Sequence, residues 1–89
     1  MTVVRIPPTL RAETNGERQV EAFGATLGEV LDDLATRFPG LRGQIFDDGD
    51  LAPFVNAYVG GEDVRTREGL DTPVTEGSQI ILLPAMAGG

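Results

Sequence analysis

The chain has 89 residues, 40% of them hydrophobic and 24% charged, the make-up of one globular domain rather than of a disordered segment. Seven basic residues against 14 acidic ones give a net charge of −7; that argues against nucleic acid, whose binding runs on basic side chains releasing counterions, and favours a partner with a basic docking face. Cys and His are absent, Ser78 is the only serine and every basic residue is an arginine, so no Ser–His or Cys–His nucleophile, no thiolate or imidazole metal site and no lysine Schiff base can be assembled.

No apolar run reaches the ~20 residues that span a bilayer. The first eight residues carry one arginine and no long apolar stretch, unlike a signal peptide. A cytoplasmic location is the resulting expectation.

In chain order, residues 2–7 (Thr-Val-Val-Arg-Ile-Pro) are a β-branched run stopped by Pro7-Pro8, which predicts a first strand. Thr14-Asn15-Gly16 signals a turn, and residues 18–23 (Arg-Gln-Val-Glu-Ala-Phe) alternate as a second strand. Together they predict an N-terminal hairpin, although residues 9–17 are long for a tight one.

A helix follows. Thr26-Leu27-Gly28-Glu29 fits a capping box, in which the Thr26 hydroxyl accepts from the Glu29 amide and Glu29 reaches back. Leu27, Val30, Leu31, Leu34, Ala35 and Phe38 recur at spacings of three and four as one apolar stripe, with Glu29, Asp32, Asp33 and Arg37 on other faces. Pro39-Gly40 ends it. Residues 41–46 read as a connector, short helical or extended, and Asp47-Asp48-Gly49-Asp50 as a loop. Residues 54–59 (Phe-Val-Asn-Ala-Tyr-Val) predict a strand, Gly60-Gly61 a turn and residues 62–65 a brief edge strand. Residues 70–75 are irregular around Pro73, Gly77 turns the chain again, and residues 79–83 form the last strand.

The order β-β-α-β-(β)-β predicts an α+β fold, a mixed sheet of four to five strands with one main helix on one face. Ile80-Ile81-Leu82-Leu83 is apolar on both faces of its strand. Two of these side chains can pack under the helix; the other two meet either a loop cover, such as residues 41–51, or a partner.

Few residues suggest chemistry. Asp47-Asp48-Gly49-Asp50 lacks the alternating spacing and distal glutamate of an EF-hand, so a solvated turn is expected rather than a calcium site. Asp32 and Asp33 are neighbours on a helix surface, not carboxylates facing each other across a substrate. Gly24-x-x-x-Gly28 and Gly60-Gly61 make no phosphate cradle, since the P-loop lysine is missing. Tyr58 sits in a strand and reads as packing.

The end of the chain differs. It reads Leu83-Pro84-Ala85-Met86-Ala87-Gly88-Gly89. With Gly at ~7% of average usage, a terminal Gly pair arises by chance in about one chain in 200. Pro84 has no N–H and is expected to end strand pairing. At ~3.3 Å per residue, the small and uncharged residues from Pro84 onward reach up to ~20 Å. Gly88 and Gly89 have no Cβ and fit a channel too narrow for side chains. The reactive group at the tip is the α-carboxylate, ionised at neutral pH. A frayed, inert terminus is the plain alternative. The expected division is a domain over residues 1–83 and a flexible tail over residues 84–89.

These features resemble the ubiquitin-like (β-grasp) sulfur-carrier proteins of the ThiS/MoaD family. The resemblance covers the whole chain, from the hairpin and capped helix to an apolar last strand running into Ala87-Gly88-Gly89. The tail is similar to that of the small subunit of molybdopterin synthase, and more so to the CysO-type carriers of cysteine biosynthesis. Residues 54–59 with Glu62-Asp63-Val64-Arg65, Ile6-Pro7-Pro8-Thr9-Leu10-Arg11 and Thr26-Leu27-Gly28 carry the same likeness.

The resemblance implies a carrier rather than an enzyme, with no cofactor or metal of its own. A separate adenylating enzyme related to ubiquitin-activating enzymes binds ATP and the tail. The Gly89 carboxylate becomes an acyl-adenylate, and sulfur displaces AMP to leave a thiocarboxylate. In CysO-type systems that sulfur goes to an activated serine, and a metalloprotease releases the carrier-bound cysteine. By the same resemblance, Gly89 is the reacting position, while Gly88, Ala87, Met86, Ala85 and Pro84 are bound in the partner's channel. Leu83 and Ile81, with Phe54, face outward to dock it. The sulfur-acceptor enzyme is cysteine synthase-like, a molybdopterin synthase large subunit or a thio-metabolite synthase; neither nucleic acid nor membrane is implied. Two other classes stay open: a protein modifier, in which Gly89 ends in an amide to a target lysine, and an interaction module with an inert tail.

Overall fold

Strands β1 (Thr2–Arg5) and β2 (Gln19–Ala22) pair antiparallel as the N-terminal hairpin, with Val4 opposite Val20. The computed structural model, which describes residues 2–84, fills the long connection between them with a 3-10 helix over Pro8–Thr14. Leu10 from this segment is buried, and so is Thr14, whose hydroxyl points at the carbonyls of Arg11 (3.2 Å) and Glu17 (2.9 Å) and closes the turn.

Helix α1 (Leu27–Arg37) starts as expected from Thr26, whose Oγ1 accepts from the Glu29 amide at 3.2 Å. The return arm lands one residue earlier than in a capping box: Glu29 Oε1 accepts from the Ala25 amide at 2.9 Å. Gly24 lets this entry pack, because a Cβ there would stand 2.6 Å from the Val30 nitrogen. Leu27, Val30, Leu31, Leu34 and Ala35 are all buried, and Phe38 is half-buried against the same core.

After a 3-10 turn at Pro39–Leu41 comes a one-turn helix, α2 (Arg42–Ile45), and a small hairpin of β3 (Phe46–Asp47) and β4 (Asp50–Leu51). The acidic loop is thus the two-residue turn of that hairpin, with Asp48 and Gly49 both at positive φ. Among the described residues no three acidic side chains converge on a point where a metal ion fits. Strand β5 (Val55–Val59) turns through Gly60-Gly61, both again at positive φ, into β6 (Glu62–Asp63). That edge strand is two residues long rather than four, since a 3-10 turn at Val64–Thr66 takes over and buries Val64. The irregular stretch around Pro73 is tied to the start of α1: the Leu27 amide donates to the Thr72 carbonyl and the Val74 amide to that of Ala25, both at 2.9 Å.

The last strand, β7 (Gln79–Pro84), enters the middle of the sheet, whose order is β2-β1-β7-β5-β6. It runs parallel to β1 and antiparallel to β5. The fold is therefore the expected α+β, β-grasp arrangement, with α1 across one face. Pairing runs one residue further than the sequence suggests: Pro84 is the last rung, opposite Val55. A proline withholds only its own N–H, and that loss costs least at the end of a ladder. Among the described residues no helix is long and apolar enough to cross a membrane.

Residues 41–51 do not shield the second face of the sheet. Leu41, Ile45 and Leu51 are buried in the same core as Leu31, Leu34, Ile80 and Leu82, on the side of α1. The core is one-sided, and Leu34 sits fully enclosed within it. Replacing Leu34 with Ala should cost ~2–5 kcal/mol, read as a fall in the midpoint of urea unfolding. A loss below ~1 kcal/mol would contradict the packing of α1 as the main core layer.

Candidate functional site

The strand before the tail sorts its side chains by parity. Ile80 and Leu82 point into the core and are fully buried, whereas Ile81 is half-buried and Leu83 is 43% exposed. On the outer face Leu83 lies opposite Asn56, and Ile81 has Tyr58 on one side and Arg5 on the other. Phe54, just ahead of β5, is 52% exposed. An aromatic ring and a leucine left open beside each other are an unusual expense of apolar surface for so small a domain.

Phe54, Leu83 and Pro84 line a single cavity of about 240 Å³, together with Val55, Pro7, Thr9, Leu10 and Gln44. The parallel pairing of β1 and β7 explains the mixture. Both strands end on the same side of the sheet, so the segment that leaves β1 meets the residues that lead into the tail. Ile81 is one rung away on the same face and does not line the cavity. Of the positions singled out in the sequence, Phe54, Leu83 and Pro84 are thus brought together and Ile81 adjoins them. Ala85, Met86, Ala87, Gly88 and Gly89 lie outside the described residues.

Phe54 sits on a tight turn that Arg65 holds. The Val55 amide donates to the Ala52 carbonyl at 3.1 Å to close the turn. Arg65 Nη2 donates to the carbonyls at both ends of it, Ala52 at 2.9 Å and Val55 at 2.6 Å. Arg65 is itself placed by Asp63, whose carboxylate accepts from the Arg65 amide at 2.9 Å. Both bonds use the two protons of Nη2, while Nε points at Asn56 Oδ1 at 3.5 Å. A guanidinium suits the task because its nitrogens are fixed in one plane and serve all three acceptors, which the single nitrogen of an ammonium does less well. The sequence marks Arg65, and likewise Pro7 and Leu10, only within the motifs that carry the resemblance and gives none of them a place at the site. The signal for the latter two was the Pro7-Pro8 stop directly after a strand that pairs with the last one.

The family model for the ThiS family matches residues 4–89 of the chain. The sulfur carrier protein CysO of Mycobacterium tuberculosis is 44% identical, over 97% of this chain and 96% of the relative. The small archaeal modifier protein 3 of Haloferax volcanii is 35% identical over 73% of this chain and 71% of its own. Among solved structures, a chain of the BexX/CysO complex of Amycolatopsis orientalis superposes with a TM-score of 0.93 at 43% identity, covering 100% of both chains.

Replacing Arg65 with Ala removes two charge-assisted bonds and should lower stability by ~1–3 kcal/mol in urea unfolding, with Arg65→Lys recovering only part of it. A loss below ~0.5 kcal/mol would show that the turn carrying Phe54 stands without the clasp.

Proposed function

From the premise that this chain belongs to the ThiS family, we propose that it is a sulfur carrier whose Gly89 carboxylate is converted to a thiocarboxylate and donates sulfur in cysteine biosynthesis. The observation that carries this reading is a family match running through Ala87-Gly88-Gly89 in a chain with no Cys, His or Lys. The chain brings the reacting group; the reagents that activate it belong to partner enzymes.

In the first step a Gly89 carboxylate oxygen attacks the α-phosphorus of ATP held by an adenylating enzyme, and pyrophosphate leaves. The resulting mixed anhydride has AMP as its leaving group, which carboxylate oxygen alone is not. A sulfur nucleophile at the oxidation level of hydrosulfide adds to the acyl carbon and AMP departs. One C–S bond replaces one C–O bond, with no net oxidation. On a cysteine synthase-like enzyme the thiocarboxylate sulfur bonds to the β-carbon of an activated serine as its activating group departs. A metalloprotease then hydrolyses the carrier-bound cysteine, releasing cysteine and restoring the Gly89 carboxylate.

Holding the tail in a partner fixes its backbone, at ~1–2 kcal/mol per residue. Contacts elsewhere have to offset that cost. The open surface of Phe54, Leu83 and Pro84, at the root of the tail, is where an apolar partner surface recovers the most area. Gly88 and Gly89 let the backbone pass a constriction that a Cβ would block.

A second reading has one observation in its favour: a relative at 35% identity is named a modifier protein. Activation of Gly89 is the same in both readings, and the product differs. In a modifier the acyl group ends in an amide to a lysine of another protein.

Intact-mass spectrometry separates the possibilities. After incubation with the adenylating enzyme, ATP and a sulfur donor, the chain should gain the mass of one oxygen-to-sulfur exchange, and a chain lacking Gly89 should gain nothing. An amide-linked conjugate in place of that exchange would favour the modifier, and no reaction with an enzyme active on another carrier would contradict both. In the same assay Leu83→Asp should change stability by no more than ~0.5 kcal/mol. It should raise the KM for the carrier roughly tenfold, ~1.4 kcal/mol of lost docking. Collapse of the fold instead would make Leu83 a core residue.

A further inference from the structure

The arginines of this chain fall into two groups. Arg37, Arg42 and Arg67 pair with Asp33, Asp32 and Glu62 at 3.2, 3.0 and 2.7 Å, and Arg65 is engaged by backbone carbonyls. Arg5, Arg11 and Arg18 instead line one open cleft of about 580 Å³, with Glu17 as its sole carboxylate. Among the described residues none of these three makes an ion pair. Arg11 gives its Nε proton to the Ile6 carbonyl at 3.1 Å, and the side chains of Arg5 and Arg18 are exposed without a hydrogen bond. Three guanidiniums drawn together in a chain of net charge −7, with acids available elsewhere for every other exposed ion pair, leave their counter-charge to come from outside.

Their place in the fold says from where. Arg5 is the rung partner of Ile81 across the parallel β1–β7 ladder. Pro7 and Leu10, in the same connection as Arg11, share the apolar cavity with Phe54, Leu83 and Pro84. The cationic cleft is therefore the continuation of the apolar face toward β2, at the end of the sheet from which the tail leaves.

We infer that the Arg5–Arg11–Arg18 cleft is the electrostatic half of the docking face and receives a patch of Asp or Glu side chains on the enzyme that adenylates the tail. This rests on the sulfur-carrier reading above. The overall charge favours a basic partner surface, and in this cleft the sign is reversed. A partner that is basic around the domain and acidic opposite the cleft fits in one orientation only, which fixes the direction in which the tail is offered. Nucleic acid is a poor occupant, since three arginines in an acidic chain displace few counterions.

The test is thiocarboxylate formation by the adenylating enzyme, with ATP and a sulfur donor, at about 50 mM and about 500 mM salt. The double variant Arg5→Glu/Arg18→Glu should raise the KM for the carrier at least ~tenfold at low salt, narrowing to ~threefold or less at high salt, because rim charges act on encounter and are screened. Arg5→Lys/Arg18→Lys should stay within ~threefold of wild type. Arg42→Glu/Arg67→Glu makes the same change in net charge on other surfaces and should leave KM within ~twofold. Melting curves check folding; if the double reversal does not fold, Arg5→Gln/Arg18→Gln takes its place, with an expected rise of ~threefold.

An unchanged KM for the Arg5/Arg18 variant at low salt, or an equal rise for the Arg42/Arg67 variant, would overturn the inference while leaving the carrier reading intact. Wild type that is not thiocarboxylated at all removes both. Retention of wild type on immobilised transfer RNA at physiological salt, lost in the Arg5/Arg18 variant whose KM is unchanged, would assign the cleft to nucleic acid and overturn the inference as well.

Discussion

The parallel pairing of β1 with β7 is the constraint on which the rest depends. β2 and β5 flank that pair and both run opposite to it, hence parallel to each other. Parallel strands cannot be joined by a tight turn, so the chain between them has to leave the sheet and cross it. That crossover carries α1, α2 and the small hairpin. Val4 and Ile80 meet on the buried side of the pair, and Arg5 and Ile81 on the open side. Because β7 is central, both its faces require cover, and the helix supplies only one of them. Because it is parallel to β1, its end emerges beside the connection that follows β1. An apolar cavity and a cationic cleft, built from segments distant in sequence, therefore share the end of the sheet that bears the tail.

This arrangement separates stability from function. The buried side chains form one continuous core on the helix side, and none of the described buried side-chain polar atoms lacks a hydrogen-bond partner. The open face of β7 and β5 contributes little to that core, so its residues are free to be chosen for partners. Arg65 sits at the boundary, using backbone acceptors to hold a turn whose exposed residue is Phe54. On the proposed function chemistry is delegated as well: a chain without Cys, His or Lys would offer its terminal carboxylate to enzymes that bring the nucleotide and the sulfur.

Much of the fold is legible in the sequence, because its strongest signals are local. The stripe from Leu27 to Phe38 and the Thr26 cap depend on neighbours within a turn, and the positive-φ turns at Gly60-Gly61 and Asp48-Gly49 on adjacent residues alone. What depends on distant partners is harder to read. Residues 8–14 have no apolar period, and their 3-10 helix is held by Leu10 and Thr14 reaching into the fold. Residues 41–51 offer Leu41, Ile45 and Leu51 at spacings that fit either face of the sheet, and only the core decides which. Pro84 reads as the end of pairing, yet the ladder runs through it. Of the site, Phe54 and Leu83 are legible as apolar residues in exposed company. The Arg5–Arg11–Arg18 cleft is not, since it joins a strand, a 3-10 segment and the turn that follows it.

The claim at the centre is that one face of the sheet is core and the opposite face, at the tail-bearing end, is where the activating enzyme sits. Amide chemical-shift mapping of the labelled chain, on titration with the adenylating enzyme, tests it most directly. The expected result is a set of perturbations confined to residues 3–18, 54–58 and 79–89, with the exposed side of α1 around Asp32, Thr36 and Arg37 unchanged. Perturbations centred on α1, with Phe54, Ile81 and Leu83 unaffected, would contradict it.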